Sequence, residues 1–365
     1  MIFLCYSPLY RVPDEKLEKF WQRYPILKNR QIFGYREILD RSKLHVDSFN
    51  YVDKEWFDRV PCGSCLDCRL SYSKAWAVRC VCESRMHPKN TCWFVTITYD
   101  DEHLPSPISI YSAQNRRSTP FYPLVKKDIQ LFIKRLRKSF SHVRYYACGE
   151  YGSKSKRPHF HLLLFGLPLF KLIQNDSFSH SEISDIEHYR LFESQELNDC
   201  WRDSNGKLKG LIAVAPFSYD SACYTARYCM KKLKGEAKKD FNDNFQCIDF
   251  NGELIPFPEE FVTMSLKPGI GASYLEQKFG SIYSCDDLIL YFNKGINHCK
   301  PPRYFDTLAE RLGVDLTKFK DDRKFLAESQ FNVRLNSSGF TEEAYYDNQK
   351  ELVKTRSNRL VRALK

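Results

Sequence analysis

The sequence predicts an α+β fold in which an antiparallel sheet carries helices on its faces. Two observations predict it. A strand, a helix, a hairpin, a further strand and a further helix follow one another between residues 93 and 233. The hairpin strands also lie too close in sequence to be joined by a helical crossover, so they pair antiparallel.

Each element has its own local reason. Trp93-Phe94-Val95-Thr96-Ile97-Thr98-Tyr99 is β-branched or aromatic throughout and reads as a strand. From Lys126 to Phe140, Ile129, Phe132, Ile133 and Leu136 recur at helical spacing, with Lys126, Lys127, Lys134, Arg135, Arg137 and Lys138 around them. Val143–Cys148 and His159–Phe165 read as two strands joined by a hairpin loop over Gly149–Arg157. Leu211–Val214 is a short strand. A helix follows from about Ser218, a fair N-cap, to Leu233, with Gly235 as its stop. Residues 1 to about 60 show no clear period. A further α/β segment lies beyond 236, and the basic stretch Lys350–Lys365 is expected to fray. No internal repeat is present.

With 365 residues, 43% hydrophobic and 15% aromatic, the chain can bury a substantial core in one or two domains. Its formal charge of +11 favours polyanions but does not by itself identify nucleic acid. No apolar run reaches the roughly 18 residues a membrane span requires, so no membrane association is expected. The start, Met1–Tyr6, lacks a basic region and a sustained apolar run, which argues against a signal peptide. Fourteen cysteines in such a chain suggest reduced thiols and metal ligation in a cytoplasm.

Chemistry concentrates in two stretches. In Arg157-Pro158-His159-Phe160-His161, alternation along a strand puts both imidazoles on one face and Phe160 in the core. Glu150, across the hairpin, completes a His, His, carboxylate set that suits Mg²⁺, Mn²⁺ or Zn²⁺ and leaves positions open for phosphate and water. In Tyr224-Thr225-Ala226-Arg227-Tyr228-Cys229-Met230-Lys231, i to i+4 spacing puts both phenols on one helix face. Lys231 shares that face, where it can lower a phenol pKa or hold a phosphate oxygen. The bland alternatives are satisfied sheet histidines and amphipathic aromatics.

The run Cys62-x2-Cys65-x2-Cys68 has zinc-ligand spacing. Tyr72 stands where no cysteine of a ferredoxin pattern falls, so an iron–sulfur cluster is disfavoured. A structural zinc needs a fourth ligand, for which Cys5, Cys80, Cys82 and His87 compete.

Phe94-Val95-Thr96-Ile97-Thr98, His159-Phe160-His161 and Tyr224-x3-Tyr228 with Lys231 occur in that order. In this the chain resembles HUH-family rolling-circle replication initiators, and most of all those of microviruses of the gokushovirus branch. The likeness covers most of the chain, through Pro61–Arg69, Gly149-Glu150-Tyr151-Gly152, Lys267-Pro268-Gly269-Ile270-Gly271 and Pro302-Arg303-Tyr304. It implies an HUH endonuclease core at 89–235 after an N-terminal zinc element at 1–88, then a C-terminal α/β extension at 236–345 and a basic tail at 346–365. It also favours Cys5 as the fourth zinc ligand, because similar phage initiators carry a cysteine near the start.

The implied activity is site-specific, metal-dependent nicking of single-stranded DNA at the viral origin, with Mg²⁺ or Mn²⁺ at the catalytic site. One tyrosine would keep the 5′ phosphate covalently and the other would rejoin the strand, in the cytoplasm of a bacterial host. With no G-x-x-x-x-G-K-[ST] in the chain, a host helicase and polymerase are the implied partners. Competing readings are an HUH transposase or plasmid relaxase, a non-catalytic zinc-containing single-strand DNA-binding protein, and a nucleotide hydrolase. The last would want a further histidine where Leu163 stands.

Overall fold

The strand expected around Trp93 is the middle of a seven-stranded sheet, and everything that builds the candidate site hangs on it. The structure, a computed structural model, describes residues 5, 7–34, 56–112, 114–152, 155–175, 191–227, 243–292 and 295–362. It divides into two units, Met1–Ser71 with Thr317–Val361, and Tyr72–Leu316 with Arg362–Lys365.

The first unit joins both ends of the chain. Strands β1 (Leu9–Arg11), β2 (Ile32–Gly34) and β3 (Asp58–Val60) form an antiparallel sheet in the order β2-β1-β3. Tyr10, Val12, Phe20, Tyr24 and Phe33 are its buried core. The C-terminal helices Thr317–Ser338 and Glu342–Arg362 bury Phe331, Tyr345 and Tyr346 between them. Tyr10 donates to Glu342 Oε1 at 2.7 Å, and Arg59 donates to the Tyr346 hydroxyl at 3.1 Å while its guanidinium lies 3.5 Å over the Phe331 ring. Burial of Tyr345, Tyr346 and Val353 explains why the stretch expected to fray is helical as far as Arg362.

The second unit holds strands β4 (Cys92–Thr98), β5 (Ile108–Ser112), β6 (Arg117–Phe121), β7 (Arg144–Tyr151), β8 (Pro158–Phe165), β9 (Leu172–Gln174), β10 (Phe192–Ser194), β11 (Ile212–Pro216), β12 (Phe245–Ile248), β13 (Leu254–Ile255), β14 (Phe261–Met264), β15 (Leu288–Phe292) and β16 (Gly295–Cys299). The main sheet has the order β14-β7-β8-β4-β11-β10-β9, and all its pairings are antiparallel. Thus β14, from beyond residue 236, covers the edge of a sheet whose centre lies far upstream. A four-stranded sheet, β13-β12-β5-β6, and the hairpin β15-β16 complete the strands described.

The two faces of the main sheet do different things. Val95, Ile97, Phe160, Leu162 and Leu164 point to one side and pack with Ile129, Phe132, Ile133 and Leu136 of the basic helix, Lys126–Ser139. Those four helix residues are the apolar stripe the sequence predicted, and the lysines and arginines around it stay outside. Thr96, Glu150, His159 and His161 alternate to the opposite side. On that side Trp76, from the long helix Leu66–Ser84, lies 5.2 Å from the Tyr146 ring.

Candidate metal and nucleophile site

The hairpin loop is shorter than the sequence reading had it. β7 runs through Tyr151 and β8 begins at Pro158, so Glu150 is a strand residue rather than a loop charge. Tyr151 explains the extension. Its hydroxyl accepts from Leu124 N at 2.9 Å and donates to Pro258 O at 2.6 Å, while Glu260 accepts its backbone N–H. Gly149 leaves room for β14, because a Cβ there would stand 2.8 Å from a Phe261 ring carbon.

The register then assembles the set. Glu150 lies opposite His159, and His161 lies between Cys148 and Thr96. Glu150 Oε1 is 3.4 Å from His159 Nε2, and Oε2 is 3.6 Å from His161 Nε2. Glu150 and His161 are buried, 4% and 2% exposed, and His159 is half-buried. Ligands on metal bonds of about 2.1 Å stand roughly 3.0 to 3.5 Å apart, so these separations suit a shared ion better than direct hydrogen bonds.

The outer nitrogens support the same reading. His159 Nδ1 donates to the Arg157 carbonyl at 3.2 Å, which leaves the Nε2 lone pair turned to Glu150. His161 Nδ1 meets the Thr96 hydroxyl at 3.0 Å. Ligating imidazoles are held in this way, through the nitrogen remote from the metal. Arg157 is itself anchored, its guanidinium bonding Asp101 and the Tyr99 carbonyl. The sequence reading assigned no role to Thr96 or Asp101. The alternation Thr96-Ile97-Thr98 was the available signal for the first, since it puts hydroxyls on the histidine face.

Tyr224 sits beside this set, in the helix Tyr219–Arg227. Ser218 caps the helix as expected, its hydroxyl accepting Ser221 N at 3.0 Å while Ser221 Oγ accepts Ser218 N at 2.9 Å. Ala222 and Ala226 are buried, as the apolar stripe predicted. The half-buried Tyr224 ring meets His161 edge-on, centroids 5.1 Å apart at 85°, and meets Phe94 at 5.9 Å. Phe94 in turn stacks on His161 at 5.6 Å. Tyr228 and Lys231 lie outside the described residues.

A second set of ligating groups lies in the first unit. Cys5, Cys62, Cys65 and Cys68 bring their sulfurs within 4.8 Å of one another. Cys5 and Cys65 are 3.7 Å apart, and Cys62 and Cys68 are 4.0 Å apart. Four sulfurs in a tetrahedron at about 2.3 Å from a metal stand about 3.8 Å apart. Hydrogen bonds among the thiols, that between Cys5 and Cys62 foremost, hold Cys62 well below the usual thiol range and raise Cys5. Cys80, Cys82 and His87 are not members of the group. His87 instead lies 3.4 Å from Glu83 and stacks on Phe165.

Residues 92–233, which span both the Glu150 set and the tyrosine helix, match the family of the replication-associated protein ORF2. The chain is 33% identical over 316 residues to Replication-associated protein ORF2 of Spiroplasma virus 4, covering 84% of this chain and 86% of that one. It belongs to this family of phage replication-associated proteins. Replication-associated protein VP4 of Bdellovibrio phage phiMH2K is 32% identical over 182 residues, 47% of this chain and 48% of that one. Replication-associated protein ORF4 of Chlamydia phage 1 is 27% identical over 197 residues, 53% and 43%. No solved structure matches significantly. Among the described residues no helix is long and apolar enough to cross a membrane.

Proposed function

We propose that this family member is an HUH-type endonuclease that initiates rolling-circle replication by nicking single-stranded viral DNA at its origin. The observation that carries this reading is the Tyr224 ring packed edge-on against His161, within one ring's width of a His, His, Glu set. A phenol so placed can approach a phosphate held by that set.

Glu150, His159 and His161 would hold Mg²⁺ or Mn²⁺, which when bound draws charge from the scissile phosphate and eases attack upon it. The Tyr224 oxygen attacks phosphorus and its proton passes to solvent. The bond from phosphorus to the 3′ oxygen breaks, leaving a 3′ hydroxyl and a 5′-phosphotyrosyl linkage. Tyr228, one helical turn on in sequence, is the second nucleophile for rejoining, and Lys231 the cation that favours the phenolate. Zn²⁺ at Cys5, Cys62, Cys65 and Cys68 serves structure rather than chemistry. The work is done in the host bacterial cytoplasm, with a host helicase and polymerase.

Incubation of circular viral single-stranded DNA with the protein and Mn²⁺ or Mg²⁺, followed by a denaturing gel, tests the reading. A nicked strand that carries covalent protein, absent in EDTA, is expected. No adduct, or an adduct that survives replacement of both Tyr224 and Tyr228 by Phe, would overturn it.

A further inference from the structure

A cavity of about 530 Å³ opens in the second unit between the end of the helix Leu66–Ser84, the entry to the tyrosine helix and the hairpin β15-β16. Its walls include Arg85, Phe217, Asp220, Tyr291, Ile296 and Asn297. Phe217 packs against Phe165 with ring centroids 5.7 Å apart. Phe165 lies four residues beyond His161 on β8 and on the same face, a step of about 13 Å. From Tyr219 to Tyr224 the helix rises about 8 Å. The cavity therefore lies about 8 to 13 Å from the metal set, or two to four nucleotides at the 3.4 Å stacked spacing.

Its lining suits a base better than a phosphate. Tyr291 and Ile296 are cross-strand partners and stay 61% and 60% exposed, a large apolar surface at the mouth of a cleft. The Arg85 guanidinium donates to the Tyr291 carbonyl, which ties the hairpin to the neighbouring helix. Asp220 repels the sugar–phosphate backbone, but its carboxylate can accept from the N–H groups of guanine or cytosine. Among the described residues neither Asp220 nor Asn297 spends its side chain on a hydrogen bond. The volume falls within the roughly 300 to 1,000 Å³ range of small-molecule pockets, so one nucleotide fits.

We infer that this cavity receives one unstacked base of the DNA strand near the nick, with Tyr291 as stacking platform and Asp220 and Asn297 reading the base edge. The inference rests on the nuclease reading above for its ligand. It also assigns a role to β15-β16, which lies outside the span matched to the family.

The test is fluorescence anisotropy in EDTA, with single-stranded DNAs from around the mapped nick, each carrying one abasic site. One position, two to four nucleotides from the nick, should weaken wild-type binding about 5- to 150-fold when its base is missing. Tyr291→Ala should bind the intact strand as weakly and be insensitive to that abasic site, while Tyr291→Trp stays sensitive and Asn297→Ala loses part of the effect. Equal abasic profiles for wild type, Tyr291→Ala and Asn297→Ala, all with native circular dichroism, would remove the base pocket even if nicking is intact. A base-sensitive position in a protein that never forms a tyrosyl adduct would keep the pocket and remove the nuclease reading.

Discussion

Glu150 and His159 face each other directly across β7 and β8, with the carboxylate 3.4 Å from Nε2. Nine residues apart in the chain, they become neighbours through strand register alone. A slip of one residue would turn either side chain to the opposite face and dissolve the set.

That dependence on geometry extends to Thr96, whose hydroxyl holds His161 Nδ1. Thr96→Val should weaken Mn²⁺ binding about 10- to 100-fold with the fold intact, and Thr96→Ser should restore it. Replacing His161 itself by Ala should cost more than either. Calorimetric titration with Mn²⁺ checks this, and unchanged affinity in Thr96→Val would show the contact to be incidental.

Tyr224→Phe should move the covalent adduct to Tyr228, and Tyr224→Phe with Tyr228→Phe should abolish it. Strand closure should suffer in either single variant, because it needs one free phenol while the other is occupied. Peptide mapping of the adduct decides between alternation and a single nucleophile. If every adduct sits on one tyrosine and the other variant completes rounds normally, alternation is wrong.

For the cysteine set, about one zinc per chain is expected by elemental analysis. It should be lost in Cys5→Ser as readily as in Cys65→Ser or Cys68→Ser, together with thermal stability. Full zinc content in Cys5→Ser would remove it from the ligand set, and iron with sulfide would replace the assignment altogether.

Glu83 provides a pH test in the second unit. Burial alone would raise its pKa, but His87, the Gly271 N–H and Arg144 outweigh that and hold it below the ordinary 4.5. A depressed carboxylate contributes stability above the unfolded pKa and loses it as pH falls through the folded one. Glu83→Gln should therefore cost about 3 kcal/mol at pH 7, seen as a Tm about 5 to 10 °C lower. The gap should close below about pH 4 as the wild-type carboxyl protonates. A gap unchanged across that range would contradict the assignment.

Much of the site was legible because its signals are local. The His-Phe-His alternation, the apolar stripe of the basic helix and the Ser218 cap each depend on residues within one or two turns or strand steps of one another. The loop was drawn too long because Gly149 and Gly152 read as turn residues. In the structure Gly149 makes room for Phe261, more than a hundred residues away. Tyr228 and Lys231 fall outside the described residues, so their part in the site remains a sequence argument.

By itself the sequence determined the strand face that carries both histidines, the three clustered thiols and the helix face of Tyr224. Periodicity of 2.0 and 3.6 decides which side chains travel together. Only the tertiary structure decided that Cys5 completes the thiol set by position, that Thr96 backs His161, that β14 seals the sheet edge and that the two chain ends form one unit. Those pairings join segments tens to hundreds of residues apart. They are selected by packing and burial rather than by any local period, so no window of sequence contains them.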